Sequence, residues 1–446
     1  MLLFDKAMFG STKHIFLNLD RKPIRIRFLI GLLLLILVFP VRVFSANEGG
    51  RNMVLKDTDE IIKILDDVTS RGDLKMAVGL IANSEGVLFE HASGFRDDDN
   101  ELPMQTDSIF AIASMTKLIT TIAALQLVDS GQVGLDQEVD EYLSEIRDIQ
   151  ILRGFESDDK PIIEKATRSP TVRELITHTS GYVYSIWNET AFIAQTKGIT
   201  SPLGGGRESI DAPLYFEPGS KWEYGIGIDW LGELVEKVSG KRLMDYFSAH
   251  IFLPLGMEDT FYEYPEGKMD RSIMMSARIK NKLIRSELYQ PIPAEHGSLS
   301  FYGGGGGLYS TVFDYSRVMR ALLNEGVLDE QRILSEGLVE QMFQNQIGEL
   351  NVSKGEAQIK ALSNDFDMGF GSQAKWGLGF LVSPDGTENG RSAGSVSWAG
   401  LFNSYFWIDR EKDICAVFAT QVLPFYDEKA IETLKLYERA VYDLVD

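Results

Sequence analysis

At 446 residues, with 44% hydrophobic and 11% aromatic content, the chain can hold one large domain or two to three ordinary ones around a substantial core. Its formal net charge is −21, and residues 1–45 carry seven Lys/Arg against two Asp, so the remainder stands at about −26. So acidic a chain offers polyanions no basic face, which excludes nucleic acid as an expected partner, and its single cysteine, Cys415, excludes an intramolecular disulfide.

The chain begins with a basic stretch at 21–27, an apolar run at 28–39 and small residues at Ser45 and Ala46. These are the parts of an export signal, so residues 1–46 are expected to be a signal peptide or an N-terminal anchor. The protein is then exported, either periplasmic or secreted or held at the outer face of the membrane. The run is short for a membrane span, and no cysteine lies near the junction to carry a lipid. Residues 47–446 are read as one domain.

Over 58–69, Ile61, Ile62, Ile64, Leu65 and Val68 make a helical stripe. Segments 77–82 and 87–91 alternate as strands about the turn Asn83-Ser84-Glu85-Gly86, which predicts a hairpin. Then comes Phe110-Ala111-Ile112-Ala113-Ser114-Met115-Thr116-Lys117, running into 118–128. The apolar residues at 115, 118, 119, 122, 125 and 128 fall on one face of a helix, with Ser114 near its first turn and Lys117 on the same side as Ser114.

From about 136 to 297 the pattern is helical and loop-rich, with a short helix at 172–177 and an amphipathic one at 228–238 that stops at Gly240. The glycine run 303–307 is not followed by G-K-[ST], so it reads as a tight turn that brings backbone against a core element, not as a phosphate cradle. A helix at 312–324 follows, then strands at 377–382, 404–409 and 414–421, with Cys415 as packing, and a helix from 428 to about 444. This order predicts an α/β (α+β) fold. An antiparallel sheet flanked by helices is drawn from about 55–130 and 298–446, with a mostly helical lobe, about 131–297, inserted between.

The five histidines are scattered without metal-ligand spacing, neither H-E-x-x-H nor C-x-x-C occurs, and no metal or cofactor is expected. No G-x-S-x-G nucleophile elbow is read in the chain, which disfavours an α/β-hydrolase. A serine mechanism would therefore have to use Lys117. A serine hydroxyl becomes a useful nucleophile once a neighbouring base takes its proton, and the start of a helix favours negative charge at its oxygen.

Ser114-Met115-Thr116-Lys117, Thr171-Val172-Arg173-Glu174-Leu175-Ile176-Thr177-His178-Thr179-Ser180-Gly181 and Pro218-Gly219-Ser220-Lys221-Trp222-Glu223-Tyr224 stand in that order. They are followed by Leu231-Gly232-Glu233-Leu234 and Gly304-Gly305-Gly306-Gly307-Leu308-Tyr309-Ser310-Thr311. Together they resemble the serine β-lactamase and penicillin-binding-protein superfamily over roughly residues 55–442. The resemblance implies that Ser114 is the nucleophile and that Lys117 and Tyr224 share proton transfer.

Two departures sharpen what it implies. Where the second motif reads Y-x-N, this chain has Tyr224-Gly225-Ile226, without the asparagine that contacts a substrate amide. Where the third reads K-T-G, it has Trp398-Ala399-Gly400, and an indole supplies no charge for the carboxylate of a penicillin or a cell-wall peptide. Trp398-Ala399-Gly400 instead resembles the W-x-G of the β-lactamase-like carboxylesterases (family VIII esterases) and their acyltransferase relatives. The same likeness implies an oxyanion hole from the backbone N–H groups of Ser114 and Leu401, with Gly400 letting that backbone approach the substrate.

The expected function is cleavage of a small-molecule ester through an acyl-enzyme on Ser114. The alternatives are a β-lactamase, D-amino-acid peptidase or amidase, an acyltransferase to a small acceptor, and a non-catalytic binding protein of the same fold. Segments 140–206 and 348–375 are expected to wall the pocket, with Tyr182, Tyr184, Trp187 and Phe370 as its aromatic candidates.

Overall fold

Seven antiparallel strands make the central sheet of the computed structural model, which describes Leu55 and residues 57–97, 99, 101–369 and 373–445. The expected leader at 1–46 and the aromatic candidate Phe370 lie outside the described residues. Strands β1 (Met76–Ala82) and β2 (Val87–Gly94) form the predicted hairpin. Strands β3 (Lys375–Trp376), β4 (Leu381–Ser383), β5 (Ser395–Gly400), β6 (Ser404–Asp409) and β7 (Ile414–Ala419) follow in sequence. Their spatial order is β3-β4-β5-β6-β7-β1-β2, so the two groups join where β1 pairs with β7, Val78 opposite Ala419.

The helices that frame the sheet and the site are α1 (Asp59–Ser70), α2 (Thr116–Asp129), α3 (Gly227–Ser239), α4 (Val312–Leu323) and α5 (Glu428–Val445). Strands β6 and β7 bury every residue instead of alternating, because both faces of the sheet are covered. Adjacent strand residues point to opposite faces, and Phe406 and Trp407 show what lies on each. Phe406 meets Tyr315 of α4 with ring centres 5.1 Å apart, while Trp407 meets Tyr437 of α5 at 5.8 Å.

Helix α2 differs from its periodicity. One buried face is expected, yet eleven of its fourteen residues are buried. The polar side is covered as well, since α3 packs against it and Thr120 donates its hydroxyl to the Gly304 carbonyl at 2.6 Å. Leu118 and Ile119 each contribute about 1.5–3 kcal/mol by leaving water.

The block expected to be mostly helical also holds two hairpins, Gln150–Phe155 with Pro161–Lys165 and Ser276–Ile279 with Lys282–Arg285. All five residues of Pro161–Lys165 are exposed, so no in–out alternation marks that strand. Of the strand expected at 377–382, Leu381 and Val382 begin β4, whereas 377–380 form the hairpin turn between β3 and β4, reversed at Gly379, whose φ of +104° few other residues adopt. Among the described residues no helix is long and apolar enough to cross a membrane.

Candidate active site

The backbone leading to Ser114 is fixed from two sides. Phe110–Ala111 pairs with Tyr309–Ser310, and the Gln421 amide brackets Ala111, accepting its N–H and donating to its carbonyl, each at 3.1 Å. Ala113 then takes a left-handed φ of +44°, a conformation that costs a non-glycine residue about 1–3 kcal/mol. That bend starts a 3-10 turn, Ala113–Met115, which runs into α2 and leaves Ser114 half-buried at the edge of a cavity.

One turn further on, Lys117 is 1% exposed. Its Nζ lies 3.3 Å from Ser114 Oγ, donates to the Tyr184 hydroxyl oxygen at 2.9 Å and donates to the Gly305 carbonyl at 2.7 Å. A neutral amine has two N–H bonds and one lone pair. With Tyr184 and Gly305 taking the N–H groups, the lone pair is left for the Ser114 hydroxyl, which is the arrangement a base requires.

Tyr224 stands beside this pair without a hydrogen bond to it. Lys117 Nζ sits 4.9 Å from its ring centre, and the hydroxyl oxygen of Tyr224 accepts the indole N–H of Trp398 at 3.1 Å. The ring is held against His178 at 4.6 Å and Trp398 at 4.9 Å. His178 accepts the Gly225 N–H on Nδ1 at 3.3 Å, and burial, with the neighbouring Lys117 charge, pushes its pKa well below the usual 6.5. It is a neutral prop for the backbone that carries Tyr224.

Three groups at the site were not predicted as such. Tyr184, expected only as a wall, accepts from Lys117; burial, then the nearby Asp229 charge, holds its hydroxyl protonated, well above 10. Asp229 also accepts the Gly305 N–H at 2.8 Å. The glycine run is a close turn as read, since a Cβ on Gly304 would collide with the Ile228 carbonyl and one on Gly305 with Asp229. That Gly305 also holds Lys117 was missed, although an Asp amid apolar residues at the start of a helix, Ile228-Asp229-Trp230, was a visible signal.

Gly400 ends β5 and Leu401 follows it, with Leu401 and Ser114 both lining the cavity. A Cβ on Gly400 would lie 2.5 Å from the carbonyl oxygen of Ile112, so the glycine lets β5 close onto the backbone just before Ser114.

The cavity is about 370 Å³ and lined mainly by apolar groups, among them Ile186, Trp187, Leu203, Phe301 and Phe402. No Lys or Arg lines it among the described residues. Of the expected walls, 140–206 supplies Tyr184, Ile186, Trp187 and Leu203, but the described part of 348–375 supplies none, and 299–309 takes its place. Tyr182 does not reach the cavity: it is fully buried and stacks on Trp230 with ring centres 6.0 Å apart.

Gly390-Arg391-Ser392-Ala393-Gly394 matches the G-x-S-x-G pattern, against the expectation that the chain has no such elbow. It lies between antiparallel β4 and β5, so it is not a strand-to-helix bend. The Ser392 N–H donates to Asp409 at 2.8 Å, and Arg391 is held in a buried ion pair with Glu438 at 2.6 Å. Among the described residues no group of His, Cys, Asp and Glu could hold a metal ion.

Comparison with known proteins gives the family. A family model described as Beta-lactamase matches residues 65–438. Lovastatin esterase of Penicillium rubens is 31% identical over 399 residues, covering 83% of this chain and 95% of its own. Monacolin J acid methylbutanoyltransferase of Aspergillus terreus is 30% identical, covering 78% of this chain and 85% of its own. A solved simvastatin synthase from Aspergillus terreus, the LovD6 mutant, superposes with a TM-score of 0.73 at 26% identity, over 86% of this chain and 94% of that one. With the match spanning nearly all of the described sheet and both sides of the cavity, the chain belongs to the β-lactamase family, as an enzyme among its serine hydrolases and acyltransferases.

Proposed function

We propose that the protein is a carboxylesterase that works through an acyl-enzyme on Ser114. Ser114 Oγ attacks the ester carbonyl carbon, and its proton passes to the lone pair of Lys117 Nζ. The oxyanion that forms lies between the N–H groups of Ser114 and Leu401, donors worth about 3–4 kcal/mol each in such a position. The C–O bond to the leaving alcohol breaks, and that oxygen takes a proton from the Tyr224 hydroxyl, which Lys117 replenishes. Water then adds to the acyl carbon and releases the acid and Ser114.

The observation that carries this reading is the buried Lys117 Nζ, 3.3 Å from Ser114 Oγ with its other contacts filled by Tyr184 and Gly305. The two tyrosines support a division of labour. Burial and the nearby Asp229 charge keep Tyr184 protonated, whereas the oxygen of Tyr224 receives a donor from Trp398, which favours charge on that oxygen. Trp398 also stands where a β-lactamase has a cation, and the cavity wall has none, so a neutral, bulky, apolar ester is favoured over a penicillin or a peptide carboxylate. The relatives named as a lovastatin esterase and a methylbutanoyltransferase fit ester chemistry of that kind. The second of these also favours a variant reaction in which a small alcohol in place of water accepts the acyl group.

The test is Ser114→Ala assayed on p-nitrophenyl esters, with fluorophosphonate labelling of the wild type located by mass spectrometry. Loss of turnover together with label on Ser114 is expected. Undiminished turnover in the variant would remove Ser114 from the mechanism, and faster turnover of nitrocefin than of esters would return the β-lactamase reading. Added alcohols that divert product from free acid to a new ester would select acyl transfer.

A further inference from the structure

Asp229 lies outside the Ser114, Lys117 and Tyr224 set, yet its bonds lead back to it. Its side chain begins α3, is 8% exposed and lines the same cavity as Ser114. It accepts the Gly305 N–H at 2.8 Å, and its charge acts on the nearby Tyr184 hydroxyl. Both of those partners hold Lys117: Nζ donates to the Gly305 carbonyl at 2.7 Å and to the Tyr184 oxygen at 2.9 Å. Lys117, Tyr184, Asp229 and Gly305 thus stand in a ring, with Gly305 bonded to both Asp229 and Lys117 and Tyr184 bonded to Lys117. The other titratable groups facing it are Tyr224 and His178 around Lys117, and Tyr262 toward Asp229. None of those three is an acid of the carboxylate type, so Asp229 is the negative group of the ring.

We infer that Asp229 is the counter-ion of Lys117, a positioning residue that acts through the Gly305 backbone, with the Tyr184 hydroxyl beside it. This rests on the proposed roles of Ser114 and Lys117 and adds what makes the lysine basic. When Lys117 takes the serine proton, an ammonium forms in a place sheltered from water, and a carboxylate one bridging group away stabilises it. Burial raises the Asp229 carboxyl above its ordinary range while the Lys117 charge draws it back down, which couples the two groups electrostatically. The Tyr184 and Gly305 bonds fix Nζ in direction, so its third position stays aimed at Ser114 Oγ.

The experiment is the pH profile of kcat/KM on p-nitrophenyl butyrate for the wild type, Asp229→Asn and Tyr184→Phe. The acidic limb reports the base losing its proton. Removing the counter-ion makes Lys117 a weaker base, so in Asp229→Asn the limb moves to lower pH by about one unit or more, with KM within about twofold. The plateau falls about tenfold because a weaker base removes the serine proton less readily. Tyr184→Phe keeps the Gly305 bridge and moves the limb the same way by less. A lowered plateau with an unmoved limb in Asp229→Asn would mean a packing role only and overturns the inference. If that variant does not fold by circular dichroism, Tyr184→Phe decides by the same criterion. Fluorophosphonate labelling separates the two levels: an unlabelled Ser114 in the wild type defeats the proposed function, while a labelled Ser114 with unmoved limbs defeats the counter-ion alone.

Discussion

The indole N–H of Trp398 donates to the hydroxyl oxygen of Tyr224 at 3.1 Å, with the two ring centres 4.9 Å apart. Trp398 therefore does something a charge count overlooks. It brings no cation, but it aims a donor at the oxygen that is proposed to exchange protons with the leaving group.

Trp398→Phe keeps the ring contacts with Tyr224 and with Trp376, 4.6 Å away, and removes the donor alone. A lost hydrogen bond of about 1–1.5 kcal/mol predicts a fall of about tenfold in kcat, with KM and thermal stability little changed. Steady-state kinetics on p-nitrophenyl esters check it. An unaltered kcat would mean that the bond only orients the rings.

Gly400→Ala places a methyl group against the Ile112 carbonyl, so β5 has to draw away from the turn that carries Ser114. The Leu401 N–H moves with it. Loss of one oxyanion donor predicts a drop of about 100-fold or more in kcat, out of proportion to any fall in Tm. Full activity with an intact melting curve would exclude the Leu401 amide from the oxyanion hole.

Leu203→Trp fills part of the cavity without touching Ser114, Lys117 or Tyr224. Turnover of a short acetyl ester is expected to stay within about twofold, while kcat/KM for an ester with a bulky alicyclic group falls about tenfold or more. Equal losses on both substrates would place the bulky group elsewhere.

Asp314 tests the fold away from the chemistry. It is 3% exposed at the start of α4, accepts from Asp259 N–H at 2.7 Å and Thr260 Oγ1 at 2.9 Å, and burial pushes its carboxyl from 3.8 up to about 6. The folded protein then holds a proton through a pH range in which the unfolded chain has lost it. Its contribution is full below pH 3.8 and is lost as pH rises through about 6. Asp314→Asn is expected to remove that part of the pH dependence, at most about 3 kcal/mol between the two ends. Urea unfolding of both proteins at several pH values measures the difference, and parallel curves would refute it.

The elements that the sequence marked clearly are those with one wet face. Helices α1, α3 and α5 keep a polar side toward water, and their 3.6-residue period shows in the residues. Helix α2 was located by its period, but burial on all sides is a property of what surrounds it, and Thr116, Thr120 and Thr121 give no hint of being covered. At the site, Ser114, Lys117, Tyr224 and Trp398 were legible because motifs carry them. Asp229 and Gly305 were not, because each acts through a hydrogen bond made across the chain, 112 and 188 positions from Lys117. The role of Gly400 was half legible: smallness was evident, but the Ile112 carbonyl that demands it lies on another strand of sequence altogether.

The pairing of β1 with β7 brings Val78 against Ala419. As the chain emerges from the ribosome, β1 and β2 precede the strand that completes their sheet by more than three hundred residues, and α2 precedes it by nearly three hundred. Closing so long a loop is entropically slow, and contacts of such sequence separation are the ones that delay folding. An incomplete chain would present the unpaired edge of β1 together with the apolar surface of α2, a combination that invites aggregation. The enzyme is therefore expected to gain its Ser114 site late, in a step that waits for β7, and to depend on chaperones until then.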